Sequence, residues 1–144
     1  MSPVLKNSVA LLVGLVVGGL VNMALVTVGP LLVPPPAGVD MTDMDSLAQS
    51  MHLMGPQHFV FPLLAHAVGT LVGATLTFVL AGRNPRLLAF GIGVFFLLGG
   101  IGAARMIPAP IWFIVTDLGL AYLPMAWLGI VSGQRLQKAM REKV

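Results

Sequence analysis

The fold is decided by residues 59–81, FVFPLLAHAVGTLVGATLTFVLA, a stretch without a single Asp, Glu, Lys or Arg. As an α-helix this stretch is roughly 34 Å long, and the hydrocarbon core of a bilayer is about 30 Å thick. Only a helix satisfies every backbone N–H and C=O within such a segment. The stretch therefore predicts one helix that crosses a membrane, with Pro62 in its first turn.

Three further apolar stretches predict further spans, at residues 8–28, 87–105 and 111–132. The whole chain is 57% hydrophobic and 9% charged, whereas a soluble domain carries about 25% charged residues. This composition excludes a soluble enzyme and a disordered chain, and the absence of Cys excludes a disulfide scaffold. We therefore predict an all-α fold, a four-helix transmembrane bundle in one domain that covers residues 1–144.

The basic residues predict how the spans are oriented. Seven of the eight Lys and Arg residues fall on one side of the predicted membrane: Lys6, Arg83, Arg86, Arg135, Lys138, Arg141 and Lys143. Loops rich in Lys and Arg stay in the cytoplasm, so we predict that both termini are cytoplasmic. Because topology accounts for these charges, their excess does not indicate a nucleic-acid partner.

One sizeable segment, residues 34–58, lies between the first two spans on the opposite side. Thr42 followed by Asp45 is typical of a helix N-cap with an acidic first turn. Apolar residues then recur at helical spacing, at Leu47, Met51 and Met54. We predict a short amphipathic helix here, which either covers the bundle or forms a lid over a binding site.

Small residues mark the packing faces of the predicted helices. Gly14 and Gly18 in the first span, and Gly69 and Gly73 in the second, form two GxxxG patterns. Such patterns allow helix backbones to approach closely. The two patterns are consistent with helix packing within one chain and equally with helix packing between subunits.

Three polar side chains fall at one depth in the predicted membrane. Asn22, His66 and Asp117 lie 14, 15 and 15 residues from the cytoplasmic ends of their spans, which is roughly 21–22 Å in each case. Arg105 ends the third span about one turn further out, and its long side chain can reach the same level. An isolated charge at this depth costs at least about 2.5–3.5 kcal/mol. We therefore predict that Asp117 pairs with Arg105, with His66 or with both.

The fourth span adds one more residue to this group. Pro124 removes a hydrogen bond within that span, so we predict a bend there, close to Tyr122. The candidate ligand-binding or proton-linked site then has five members: Asn22, His66, Arg105, Asp117 and Tyr122. A purely structural network that fixes the register of the helices is the alternative for the same residues.

The sequence predicts no catalytic residue, no metal site and no cofactor. The histidines are His52, His58 and His66, and the last two are roughly 12 Å apart along one helix, too far to share an ion. A haem needs axial ligands, and a second buried His is missing. No recognisable nucleophile motif accompanies a His66–Asp117 pair.

Two stretches of the sequence resemble a known group of proteins. They are PPPAGVDMTDMDSLAQSMHL, residues 34–53, and QHFVFPLLAHAVGT, residues 57–70. Through them the chain resembles a group of small, uncharacterised bacterial inner-membrane proteins with four predicted spans. The resemblance implies the four-span topology and a location in the bacterial inner membrane. It implies no activity and no functional residues.

Three functions stay open on the sequence. The first is binding or transport of a small molecule, a lipid or a proton through an outward-facing polar pocket. The second is an accessory or oligomerising subunit, whose glycine faces contact a second copy or another membrane protein and whose polar layer is structural. The third is a membrane enzyme that uses His66 and Asp117. The lipid bilayer is the partner that all three share.

Overall fold

The computed structural model describes residues 2–143, which form an all-helical chain without strands. Six α-helices are present in this part of the chain: α1 (Pro3–Leu32), α2 (Met44–Ser50), α3 (Val60–Leu80), α4 (Pro85–Met106), α5 (Ile111–Leu120) and α6 (Leu123–Arg141). Two short 3-10 helices, Met51–Leu53 and Pro56–Phe59, connect α2 to α3.

Four helical stretches in residues 2–143 are long and apolar enough to cross a membrane. They are Pro3–Leu32, Pro56–Leu80, Pro85–Met106 and Ile111–Arg141. The prediction of four spans in an all-helical chain is confirmed at this level. The fold therefore defines a multi-pass membrane protein.

The first span is longer at both ends than predicted. It begins at Pro3, where the Ser2 hydroxyl accepts a hydrogen bond from the Leu5 N–H at 3.3 Å and proline occupies the first turn. It continues through Pro30 to Leu32, and the Val33 N–H still donates to the Gly29 carbonyl at 2.8 Å. Capping and a favourable proline position at the start explain why polar residues there remain helical.

The fourth span is two helices rather than one bent helix. The Ala121 N–H donates to the Asp117 carbonyl at the end of α5, and the Ala126 N–H donates to the Tyr122 carbonyl at the start of α6. Tyr122 itself has a non-helical backbone, with φ −118° and ψ −80°. Pro124 thus lies in the first turn of a new helix, where its missing N–H leaves no hydrogen bond unmade.

Helix α3 is the centre of the packing, because it contacts α1, α4 and α6. A cluster of buried apolar side chains fills the space between α3, α4 and α6: Ala74, Phe78, Ala89, Ile92, Ala126 and Ile130. On the opposite side α3 packs against α1 through glycine. A Cβ atom at Gly73 would lie 2.7 Å from the Gly14 carbonyl oxygen, and one at Gly69 would lie 2.8 Å from that of Gly18. The two backbones are therefore in direct contact within one chain.

The tight connection between α3 and α4 is held by a residue from α1. Asn7 Oδ1 accepts hydrogen bonds from the N–H groups of Gly82 and Arg83 at 2.9 and 3.1 Å, and its Nδ2 donates to the Arg83 carbonyl at 3.1 Å. This contact fixes the end of α1 to the short basic loop. No pattern in the sequence predicted this role of Asn7.

The segment between α1 and α3 contains the predicted short helix, but its cap differs. The N-cap is Asp43, which accepts from the Ser46 N–H at 2.6 Å. Thr42, the predicted cap, instead donates its N–H and its hydroxyl to Asp40 Oδ1, at 2.8 and 2.7 Å. Asp is preferred over Thr as an N-cap residue, and the carboxylate of Asp43 accepts from the first turn. These two hydrogen bonds lower the pKa of Asp40 below its ordinary value.

Candidate functional site

His66 and Asp117 form a direct pair between α3 and α5. His66 Nδ1 lies 2.8 Å from Asp117 Oδ1. Asp117 is 4% exposed, whereas 25% of the His66 side chain is accessible. The prediction that Asp117 pairs with Arg105, with His66 or with both is confirmed for His66.

Arg105, the other predicted partner, lies elsewhere. It occupies the last turn of α4, it is exposed, and it forms no ion pair with Asp117. A cation in the last turn of a helix is stabilised by the helix dipole and by solvent. Pairing with the buried carboxylate would therefore add little stability for the Arg105 side chain. The predicted pairing of Asp117 with Arg105 is therefore wrong.

Tyr122 completes the network around the carboxylate. Its hydroxyl donates to Asp117 Oδ2 at 3.0 Å, and its ring stacks on the His66 imidazole with centroids 5.7 Å apart. Tyr122 is 2% exposed and lies at the break between α5 and α6. Gly100 of α4 makes room for this ring, since a Cβ atom there would collide with the Tyr122 hydroxyl oxygen.

The network assigns the proton on the imidazole. An ionised carboxylate only accepts hydrogen bonds, and Asp117 receives one from Tyr122 on Oδ2 and one from His66 on Oδ1. Beside an ionised carboxylate, Nδ1 of His66 carries the proton that it donates to Asp117, and Nε2 carries a lone pair when the ring is neutral. No residue in the described range 2–143 occupies Nε2.

A first cavity of about 220 Å³ lies between the segment that precedes α3 and helices α3, α4 and α5. We call it the loop-side cavity. His66 and Asp117 line it, together with His58. Most of its wall is apolar and includes three methionines and two phenylalanines: Met41, Met51, Met54, Phe59 and Phe113. All three residues that predicted an amphipathic loop helix, Leu47, Met51 and Met54, are part of this wall.

A second cavity of about 230 Å³ lies on the other side of the imidazole, between α1, α3 and α4. We call it the α1-side cavity. Its polar lining comes from Asn22, His66, Thr70 and Tyr122. Asn22 Oδ1 is buried and has no hydrogen-bond partner within the described part of the chain, residues 2–143. The structure thus places Asn22 and Tyr122 beside the His66–Asp117 pair and leaves Arg105 outside the group.

The rings of His58 and His52 make hydrogen bonds with backbone groups of the loop. His58 Nε2 donates to the Pro34 carbonyl at 3.1 Å, and its Nδ1 accepts from the Gly55 N–H at 3.0 Å. His52 Nδ1 contacts the Gln49 carbonyl at 2.9 Å. Within residues 2–143 no group of three or more His, Asp or Glu side chains is arranged to hold a metal ion.

Comparison with known proteins adds no constraint on the function. No protein-family model, no curated protein and no solved structure matches this chain.

Proposed function

We propose that this chain is a small multi-pass protein of the bacterial inner membrane that binds or transports a small molecule, a lipid or a proton through the loop-side cavity. The observation that carries the proposal is the His66–Asp117–Tyr122 network beside a mainly apolar cavity. Ligand sites combine these two features, an apolar wall and a few convergent polar groups. An imidazole in a membrane segment is also the side chain best suited to exchange a proton near neutral pH.

The size of the cavity supports a small ligand. At about 220 Å³ the loop-side cavity is below the range of about 300–1,000 Å³ that is usual for sites of drug-sized ligands. A whole phospholipid is too large for this space, whereas a single alkyl chain or a small ring system fits it. The methionine side chains in the wall are flexible and adapt to irregular apolar shapes.

The orientation that we propose places the loop-side cavity at the outer face of a four-helix bundle, with both termini in the cytoplasm. The seven basic residues at the other end of the helices support this arrangement. The protein contains no Cys, so single cysteines report without background. In intact cells Ser46→Cys is expected to react with an impermeant maleimide, and Lys143→Cys only after the cells are opened. Reaction of Lys143→Cys in intact cells contradicts the orientation.

Binding can be tested through Trp112, because its ring packs edge-on against Phe59 with centroids 5.5 Å apart and Phe59 lines the cavity. A Trp127→Phe background leaves Trp112 as the single indole. In detergent micelles ω-bromodecanol is expected to quench Trp112 in a saturable way, because bromine quenches indole on contact. Unbrominated decanol is expected to reverse the quenching.

A matched pair of variants separates binding in the cavity from quenching by the micelle. Ala104 lines the loop-side cavity, whereas Ala24 is exposed on α1. Ala104→Leu is expected to weaken the saturable quenching about tenfold or more by filling the cavity, and Ala24→Leu is expected to leave it unchanged. Equal quenching in both variants contradicts the proposed function.

A second function, an accessory or oligomerising subunit, is favoured by one face of α4. Gly91, Gly99 and Gly102 share this face, and a Cβ atom at any of them meets nothing within 4 Å. Such a face allows a second helix to approach closely. If it binds another copy of the chain, Gly99→Leu lowers the oligomeric mass measured by light scattering in detergent, whereas Gly19→Leu on α1 does not. An unchanged monomer in all three proteins contradicts this function.

A further inference from the structure

The two cavities meet at the imidazole of His66. Three residues line both of them, His66, Gly100 and Ala103. Two of these three are a glycine and an alanine, so the imidazole supplies the polar surface of the shared wall. A ligand in the loop-side cavity that reaches His66 therefore also reaches the edge of the α1-side cavity.

The polar side chains around the α1-side cavity offer mainly lone pairs, and the Asn22 amide nitrogen is a donor among them. The Tyr122 hydroxyl gives its proton to Asp117 Oδ2, and the Thr70 hydroxyl gives its proton to the His66 carbonyl at 2.7 Å. Both oxygens keep only lone pairs for the cavity. Nε2 of His66 is also an acceptor when the imidazole is neutral and keeps its proton on Nδ1 beside Asp117.

Asn22 adds the acceptor that most needs a partner. Its Oδ1 is buried and receives no hydrogen bond from residues 2–143. A buried polar atom without a partner is costly, and a cavity of about 230 Å³ leaves room for the missing donor. The side chains that share this cavity with Asn22 have already given their hydroxyl protons to other groups. The donor therefore comes from outside the protein.

We propose that the α1-side cavity is the polar half of the binding site and that it selects ligands by a hydrogen-bond donor group. The ligand class is an apolar chain or ring that carries a hydroxyl or an ammonium group. Its apolar part lies in the loop-side cavity and its donor lies between His66 Nε2 and Asn22 Oδ1. Ethers and ketones offer only lone pairs and leave Asn22 Oδ1 without a donor, so they bind less tightly. This inference rests on the proposed function.

Three probes of equal chain length test the selectivity in the Trp127→Phe protein. They are ω-bromodecanol, ω-bromodecylamine and the methyl ether of ω-bromodecanol, each titrated against Trp112 fluorescence in detergent. The alcohol and the amine are expected to bind roughly 3–10-fold more tightly than the ether, the effect of about one hydrogen bond. Tighter binding of the amine than of the alcohol additionally reports the negative charge of Asp117.

One pair of variants on α1 assigns the selectivity to the α1-side cavity. Asn22→Ala removes the unpartnered acceptor without adding bulk and is expected to reduce the ratio between alcohol and ether binding toward one. Met23 is exposed on the same helix, and Met23→Ala is expected to keep the ratio of the parent protein. A ratio that survives Asn22→Ala unchanged overturns the role of the α1-side cavity.

The outcomes also separate this inference from the proposed function. If all three probes bind with equal affinity, the cavity binds ligands but does not select donors, and the inference is overturned alone. If none of the three quenches Trp112 in a saturable way, the proposed function fails and the inference fails with it.

Discussion

The α1–α3 interface and the surroundings of His66 use glycine in opposite ways. Between α1 and α3 four glycines bring two backbones into contact, and a Cβ atom at Gly18 would lie 2.7 Å from the Gly69 carbonyl oxygen. Around His66, in contrast, Gly100 makes room for a side chain, the ring of Tyr122. Glycine closes the gap between two backbones in the first region, whereas in the second it leaves room for a ring beside two cavities.

The difference shows how the same residue type serves stability in one place and a site in the other. Direct backbone contact leaves no space for water or a ligand, and the polar contact found there, from the Thr77 hydroxyl to the Ala10 carbonyl at 3.2 Å, is fully buried. Near His66 the small residues leave space beside polar groups, which is the condition for binding. The effects of substitutions in the two regions are therefore expected to differ in kind and in size.

The largest effect is expected from Gly73→Leu in the α1–α3 interface. Its Cβ atom would lie 2.7 Å from the Gly14 carbonyl oxygen, a backbone atom that cannot rotate away. We expect the free energy of unfolding in detergent to fall by about 3 kcal/mol or more, at or above the upper end of overpacking effects. Gly91→Leu is the control, because a Cβ atom at Gly91 meets nothing within 4 Å. Equal stability of the two variants contradicts backbone contact between α1 and α3.

A smaller effect is expected from Tyr122→Phe in the region of His66. The substitution keeps the ring that stacks on His66 and removes the donor to Asp117 Oδ2. Leaving a buried acceptor without its partner costs about 1–3 kcal/mol. Trp127→Phe, on the exposed face of α6, is the control with a similar loss of polar atoms.

A double-mutant cycle shows whether this cost comes from Asp117. With Asp117→Leu already present there is no carboxylate to satisfy, so Tyr122→Phe is expected to cost much less. Costs of the two substitutions that simply add contradict a direct Tyr122–Asp117 contact.

The spans and the His66–Asp117 pair could be predicted because both depend on position along a helix. Hydropathy fixes which segments cross the membrane, and the rise per residue fixes the depth of a side chain. The pairing of Arg105 with Asp117 was predicted wrongly, because the depth of a residue shows only what its long side chain can reach. At the exposed end of α4 the charged side chain of Arg105 has a lower free energy than it would have at the buried site.

The contact between Tyr122 and Asp117 could not be predicted for a different reason. In a continuous helix, residues five apart point roughly 140° away from each other. The break between α5 and α6 changes this angle, and Pro124 predicted a bend without predicting its direction. The methionine wall of the loop-side cavity was equally hidden, because the path of the loop depends on a distant contact, that of His58 with the Pro34 carbonyl.

The smallest effect is expected at the edge of the loop, where the hydrogen bonds from Thr42 lower the pKa of Asp40. A carboxyl group with a lowered pKa in the folded state stabilises the fold above its unfolded-state pKa of about 3.9, and this contribution is lost as the pH falls below that value. Thr42→Val removes the hydroxyl donor and keeps the backbone donor. We therefore expect the carboxyl resonance of Asp40 to titrate at a higher pH in Thr42→Val, still below the ordinary value, in an NMR titration of ¹³C-labelled protein. Thr116→Val removes a hydroxyl that donates to the Trp112 carbonyl instead, and it is expected to leave the titration of Asp40 unchanged.

Because Asp40 is fully solvated, the thermal stability of the chain is expected to stay the same in both variants. A fall in stability as large as that of Tyr122→Phe would mean that the loop, and not the His66 network, limits the stability of this half of the molecule.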